Sequence, residues 1–473
     1  QNKRLLIFVD YAETRRDDLL ALFAACGDQR VGKQIRIVLL SRFDGEWRQN
    51  LLSKTQATWV RVEGHLREIP ISPLTLDQTE RHAIAVEARD IFAGAMRDGA
   101  KPVEIGDLSE DHFQAVLYVL IAAFHASRGL VISAREELLD ELIIRETRMW
   151  TEHERVSAYN LQASDMEPAG AMLTLLGQTK LSELADLLFM FPEKSQRPNI
   201  TKALADFLSA SDDKKRAPED MIGGLAPDIV GERIVARSVQ RDPAFLDDAL
   251  SQNLSEDQLV NAMAILGRAA IDAPELLDRI EHTLGQQFER LALPTMIAAI
   301  NSNAEFGGLL TKLMAENPDP DIAASLSQHI PNQTLSLREF AVDVTLIMRT
   351  HLQALITADP SEGLSAEFAR VSNNLSNRLD DLGRPEEALE AIKEAEAIYR
   401  ELATAQPDTF HPDLAMSLNN LSGSLGNLGR QEEALAAVEE SMSIYRDLAA
   451  ARPDAFLPDL AMSLNNLSNH LDA

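Results

Sequence analysis

Three charged side chains near the start of the chain have the types and spacing for phosphate chemistry. Five apolar residues, Leu5 to Val9, run straight into Asp10, and Glu13 follows three residues later. An apolar run without alternation suits a strand buried on both faces. A carboxylate at the C-terminal end of such a strand sits at the sheet edge where α/β proteins bind ligands. There Asp10 can hold the Mg²⁺ of a nucleotide through water, or simply cap the strand end. Glu13 can polarise an attacking water, or it is an acid favoured by a helix N-terminus. A second apolar run, Ile35 to Leu40, ends in Ser41-Arg42. Arg42 would then lie beside the first carboxylate, to contact a γ-phosphate or to pair with a neighbouring acid.

The elements that must position these groups follow from the pattern. Thr14 to Ala25 reads as a helix with Leu19, Leu20, Leu22 and Phe23 on its apolar face. Strand, helix and strand with a polar residue at each tip make one α/β unit. Trp47 to Leu52 reads as a short helix, and Thr58 to Val62 and Glu68 to Ile71 as further strands. The Asp10 and Arg42 pair resembles the Walker B and sensor-1 residues of the signal-transducing ATPases with numerous domains, the STAND class that includes NACHT and NB-ARC proteins. The spacing of Asp10 and Glu13 is similar to the NACHT form of Walker B. The resemblance implies ATP or ADP with Mg²⁺. Asp10, Glu13 and Arg42 are then the catalytic groups, Asp10 and Arg42 the cofactor-binding ones and Asp10 the metal ligand. The 473 residues contain no GxxxxGK[ST] phosphate loop, which in this class precedes Walker B. The expectation is a chain that begins inside its nucleotide-binding domain and does not hydrolyse ATP as it stands.

The resemblance also orders the following segments. Residues 1–75 are the C-terminal half of the α/β domain, closed by Ile71-Ser72-Pro73-Leu74. Residues 76–155 form a helical lid, with helices near 77–97, 109–127 and 133–153. Asp77 and Ser133 are the expected N-caps, and Glu136 completes a capping box with Ser133. The lid stretch Phe113 to Leu117 stands where relatives carry an adenine-touching Gly-x-Pro-Leu and lacks the proline. Residues 156–243 resemble a winged helix, with helices near 166–177 and 181–191 and the phrase LAPDIVGE, Leu225 to Glu232. Residues 244–335 read as a helical connector broken at Pro243, Pro274, Pro294, Pro318, Pro320 and Pro331.

The C-terminal end repeats itself. Asn373-Asn374-Leu375-Ser376 recurs at Asn419 and again at Asn465, a period of 46 residues. LGRPEEAL, from Leu382, recurs as LGRQEEAL from Leu428, and IYRELA from Ile398 recurs as IYRDLA from Ile444. Each unit reads as two helices joined by a Gly-Arg turn. Gly383 and Gly429 suit the residue after a helix end, and Pro385 a first helical turn. The pattern resembles tetratricopeptide repeats of the longer kind found in kinesin light chains, over 336–473, with a degenerate unit near 338–360. Leu421, Leu425, Ala434, Leu435 and Ile444 have no partner unless units stack. The last unit stops midway, so the intact protein is expected to continue.

Asparagine is a poor residue for a helix interior, so its recurrence needs a reason. On the first helix of each unit Asn374, Asn420 and Asn466 either bind a partner peptide, whose backbone an amide can bond both ways, or form a ladder between repeats. One residue of each pair can serve each role.

Composition bounds the rest. A net charge of −29 argues against a general nucleic-acid or anionic-membrane surface. Lys214-Lys215-Arg216 reads as a solvated loop. One cysteine, Cys26, excludes an intrachain disulfide and fits a cytoplasmic location. No run is long enough to span a bilayer. The ten histidines have no HxxxH spacing, and Trp47, Trp59 and Trp150 read as core. The fold expected is mainly α: a partial α/β P-loop NTPase core, helical lid, winged helix and α-superhelical repeats. The function expected is a regulatory ATPase switch whose repeats sense a protein or peptide partner, with homo-oligomers on activation and bacterial defence or signalling as the setting. The rival is a non-enzymatic repeat scaffold.

Overall fold

The computed structural model describes residues 5–9, 19, 35–39, 77–95, 100–208, 221–223, 225, 228–302, 306–331 and 334–471. Strands β1 (Leu5–Val9) and β2 (Ile35–Leu39) occupy the two apolar runs and pair in a two-stranded sheet. Leu19, on the apolar face expected of the first helix, is helical and fully buried. Asp10, Glu13, Arg42, Cys26, Trp47, Trp59 and the strands expected at 58–62 and 68–71 lie outside the described residues. Among the described helices one compact unit runs through Gln286 and a second begins at Gln287.

The first unit opens with α1 (Gln78–Ala95). Its cap is the one expected. Asp77 Oδ1 accepts from the Glu80 amide at 2.8 Å, and the Asp77 amide donates back to Glu80 at 2.9 Å. The helix expected at 109–127 is broken. The Asp107 carboxylate takes the Ser109 amide and hydroxyl, Glu110 is extended, and Asp111–Gln114 form one 3₁₀ turn. Extended Ala115 then starts α2 (Val116–Ser127). Helix α3 (Arg135–Glu152) follows, and its expected Ser133 capping box does not form. Ala134 is the N-cap, the Ser133 carbonyl meets His112 Nε2 at 3.0 Å, and the Glu136 carboxylate lies 3.5 Å from Arg233. A tertiary cation wins over a local cap.

Helix α4 (Ala163–Leu176) is buried along most of its length. It can be, because Gly170 lets Trp150 and Ile234 approach: a Cβ there would lie 2.9 Å from both. Trp150 is fully buried, as the sequence suggests. After α4 come β3 (Thr179–Lys180), α5 (Leu181–Leu187), α6 (Arg197–Leu208) and β4 (Met221–Ile222), with β3 and β4 antiparallel. Helix α7 (Asp228–Arg241) returns to the core. Its arginines bind acids of α3 and α4. Arg233 donates to Asp140 at 2.7 and 3.1 Å, and Arg237 reaches Asp140 at 2.9 Å and Glu167 at 3.0 Å. Helices α8 (Ala244–Ser251), α9 (Glu256–Asp272) and α10 (Leu276–Gln286) complete the unit.

The second unit contains α11 (Phe288–Ser302), α12 (Gly307–Glu316) and α13 (Pro320–Ser327). Pro294 is not a break: it lies inside α11. Its ring removes one helix bond, yet buried Leu291, Ala292, Met296, Ala298 and Ala299 hold the segment helical. Pro320 instead opens α13, where Asp319 accepts from the Asp321 and Ile322 amides.

Six long helices end the chain: α14 (Arg338–Ala358), α15 (Glu362–Asp381), α16 (Pro385–Ala405), α17 (Pro407–Asn427), α18 (Gln431–Ala451) and α19 (Pro453–Leu471). The degenerate unit is the single helix α14, which packs on α15. Gly383 and Gly429 close their helices at φ 71° and 70°, and Pro385 and Pro407 each stand in a first turn. Leu389, Ile392, Tyr399, Leu418, Leu425 and Ala434 share one core across both hairpins, with Ile444 packed against it.

Candidate partner-binding surface

The 46-residue period places equivalent side chains one above another, and the first residue of the asparagine pair points inward in the first two repeats, whereas Asn465 on the last helix is exposed. Asn373 and Asn419 are buried. The serine three residues on explains their pose, since Ser376 Oγ donates to the Asn373 carbonyl at 2.9 Å and Ser422 Oγ to the Asn419 carbonyl at 2.8 Å. Both serines are fully buried, so only a small residue fits there. The buried amide oxygens then accept from the next repeat. Asn373 Oδ1 takes Asn420 Nδ2 at 3.1 Å and Ser417 Oγ at 3.3 Å, and Asn419 Oδ1 takes Asn466 Nδ2 at 3.2 Å. A second rung joins Ser424 Oγ to Asp380 Oδ2 at 2.7 Å.

Of the two roles open to the asparagines, the ladder is what this geometry shows. Asn374, Asn420 and Asn466 nevertheless stay half-exposed, and Asn420 Oδ1 has no protein donor among the described residues. The second residue of each pair therefore stands at the surface, and in Asn420 and Asn466 one edge is tied to the repeat before.

The face that α15, α17 and α19 leave uncovered carries more than asparagine. At a spacing of three or four residues α15 presents Glu367, Arg370, Asn374 and Asn377. One period on, α17 presents Asp413, Met416, Asn420 and Gly423, and α19 presents Asp459, Met462, Asn466 and Asn469. Sequence reasoning singled out the asparagines and passed over the acid seven residues earlier. The signal was there, in the repeated phrase PDLAMSLNNLS at 412–422 and 458–468. Burial pushes the Asp413 carboxyl above the usual range. Burial also pushes up the phenols of Tyr399 and Tyr445, and the nearby Asp413 charge adds to both.

Opposite this face the hairpins are clamped by charge. Arg400 of α16 donates to Glu440 of α18 at 2.6 and 2.9 Å. Between α14 and α15 the clamp is unusual. Arg378 Nη1 donates to the Ala341 carbonyl and the Thr345 hydroxyl, both neutral, and burial pushes the guanidinium down to about 10.

The first unit holds a cleft of about 370 Å³ between the start of α3, α7 and the end of α9. Its arginines are occupied: Arg135 by Tyr118 and Asp272, each at 2.6 Å, and Arg233 by Asp140. Neither cation is free for a phosphate. The expected nucleotide residues Asp10, Glu13 and Arg42 cannot be placed against this cleft, because they lie outside the described residues. No described helix is long and apolar enough to cross a membrane.

Comparison with known proteins agrees with the repeat geometry. The family model of the tetratricopeptide repeat matches residues 369–413 and 414–449, so the stacked hairpins α15–α16 and α17–α18 are tetratricopeptide repeats. No curated protein matches the chain.

Proposed function

We propose that the chain is the switch-and-sensor part of a STAND-type regulatory ATPase, whose repeats bind an extended protein or peptide segment on the face of α15, α17 and α19. The observation that carries the binding role is the register of that face: one half-exposed asparagine column over three helices, in which Asn420 and Asn466 are each fixed by a bond to the repeat before. A regularly spaced row of amides suits a peptide backbone, which also repeats. The test selects binding peptides from a random library against the whole chain and measures their affinity for Asn420→Ala. A buried amide contact left unmade costs ~1–3 kcal/mol, so affinity should fall roughly tenfold. An unchanged affinity would remove Asn420 from the surface.

The ATPase half rests on sequence resemblance and on two structural features compatible with it. The strands before Asp10 and Arg42 pair. The order α4, β3, α5, α6, β4, with the two short strands antiparallel, is the order of a winged helix. In this reading Asp10, Glu13 and Arg42 act on ATP with Mg²⁺, the ADP form is closed, and partner binding releases it for exchange and homo-oligomer assembly. Bacterial defence or signalling in the cytoplasm is the proposed setting. In the intact protein, Asp10→Ala should abolish Mg²⁺-dependent nucleotide binding or turnover. The lack of GxxxxGK[ST] within these residues favours a second reading, a non-enzymatic scaffold with a degenerate NTPase-like segment. Nucleotide binding by the intact protein decides between the two.

A further inference from the structure

We infer that the open face of the repeats takes an extended segment rich in arginine or lysine, whose cationic groups seat on Asp413 and Asp459. This rests on the reading that the face binds a peptide, and names the class of peptide.

The repeats themselves supply the comparison. In the first repeat the acid of the column, Glu367, is neutralised from within: Arg370 Nε donates to Glu367 Oε2 at 2.8 Å and Nη2 to Oε1 at 2.5 Å. A guanidinium thus already occupies the first of three equivalent positions. One and two periods on, the acid is kept as Asp413 and Asp459, but the arginine is replaced by Met416 and Met462. Helices α17 and α19 contain no lysine or arginine at all. Among the described residues no cation pairs with Asp413 or Asp459.

Burial makes that absence costly for Asp413. A half-buried carboxylate without a counter-charge gains more from a cation than an exposed one does. The neighbouring phenols of Tyr399 and Tyr445 supply no counter-charge, since a tyrosine side chain has no cationic form. Methionine at 416 and 462 contributes a flexible apolar shelf that accepts the methylene stem of a lysine or arginine. Spacing sets the ligand's pattern. Packed helices lie about 8–10 Å apart, and an extended polyproline-II chain rises about 3.1 Å per residue with about three residues per turn, so every third side chain returns to the same face. Basic residues at every third position therefore meet successive repeats.

The test uses the whole chain and three fluorescein-labelled peptides, (Arg-Ala-Ala)₄, (Ser-Ala-Ala)₄ and (Glu-Ala-Ala)₄, followed by fluorescence anisotropy. The basic peptide should bind best. Asp413→Asn should weaken it about fivefold or more, and Met416→Arg, which supplies the first repeat's own cation to Asp413, should do the same. Glu401→Gln, an equal charge change on the outer side of α16, should leave affinity unchanged. Melting temperatures of the variants, unchanged or raised, exclude unfolding as the cause. The inference is overturned if the basic peptide fails to bind, or if Glu401→Gln weakens it as much as Asp413→Asn. If the neutral or acidic peptide binds instead, and Asn420→Ala weakens it, the basic class falls while the binding face stands. If none of the three binds, the basic class falls, and the library selection with Asn420→Ala decides whether the face binds a peptide at all.

Discussion

At the scale of single residues, the side chains that decide stability are those whose charge or amide is committed to one partner set. Asp140 is the sharpest case. Burial pushes its carboxyl up, but Arg233 and Arg237 outweigh burial and hold it below its ordinary value of 3.8. Folding is therefore favoured by its ionised form. That contribution is present above the unfolded pKa, near 4, and is lost as pH falls through the lower folded value. Asp140→Asn should cost about 2 kcal/mol near neutral pH, because two half-buried guanidiniums lose their acid. The difference from the parent protein should shrink as pH is taken below about 4. Urea unfolding at two pH values checks both parts; a pH-independent difference would mean that shape, not charge, is what the substitution removes. The asparagines show what spacing alone cannot say. Sequence placed Asn374, Asn420 and Asn466 on first helices and left ladder and ligand open. Lateral stacking supplies the ladder bond, bringing Asn420 Nδ2 against Asn373 Oδ1. No single repeat contains that information.

At the scale of elements, the repeats were legible because the chain writes them more than once. Gly383 and Gly429 mark the helix ends and adopt positive φ, as a residue beyond a helix end does. A Cβ at Gly429 would meet nothing within 4 Å, so its cost is purely conformational. Gly429→Ala should destabilise the repeats by about 1–2 kcal/mol. Gly429→Asn should recover part of the loss, since asparagine tolerates this region better. Thermal melting followed by circular dichroism ranks the three proteins; equal losses for alanine and asparagine would contradict the backbone account. Elements without repetition were read less well, and for identifiable reasons. Ser133 looked like a cap, but its Glu136 partner lies toward Arg233 on another helix. The helix expected at 109–127 is α-helical only from Val116, because Asp107 and Ser109 first close a local turn and a 3₁₀ turn follows. Pro294 looked like a break, and burial kept it inside α11. In each case a tertiary or side-chain contact overrode the local signal.

At the scale of the whole molecule, charge is the property that reaches furthest. The net charge of −29 is spread over 473 residues, and on the face proposed to bind a partner it includes Asp413 and Asp459, whereas Glu367 is paired with Arg370. A long-range negative potential raises the local concentration of a cationic partner before any contact forms. Salt screens this field over about 10 Å at 0.1 M ionic strength and about 3 Å at 1 M, whereas a half-buried pair such as one made at Asp413 is screened less. Association and dissociation should therefore respond differently. For (Arg-Ala-Ala)₄ and the whole chain, raising salt from 0.05 to 0.5 M should slow association about tenfold or more and change dissociation much less. Asp413→Asn should do the reverse, mainly speeding dissociation, because it removes a contact and only one unit of the field. Stopped-flow anisotropy at the two salt concentrations measures both rates. Equal acceleration of dissociation by salt and by the substitution would mean that the peptide rides on the general field, without seating on the repeats.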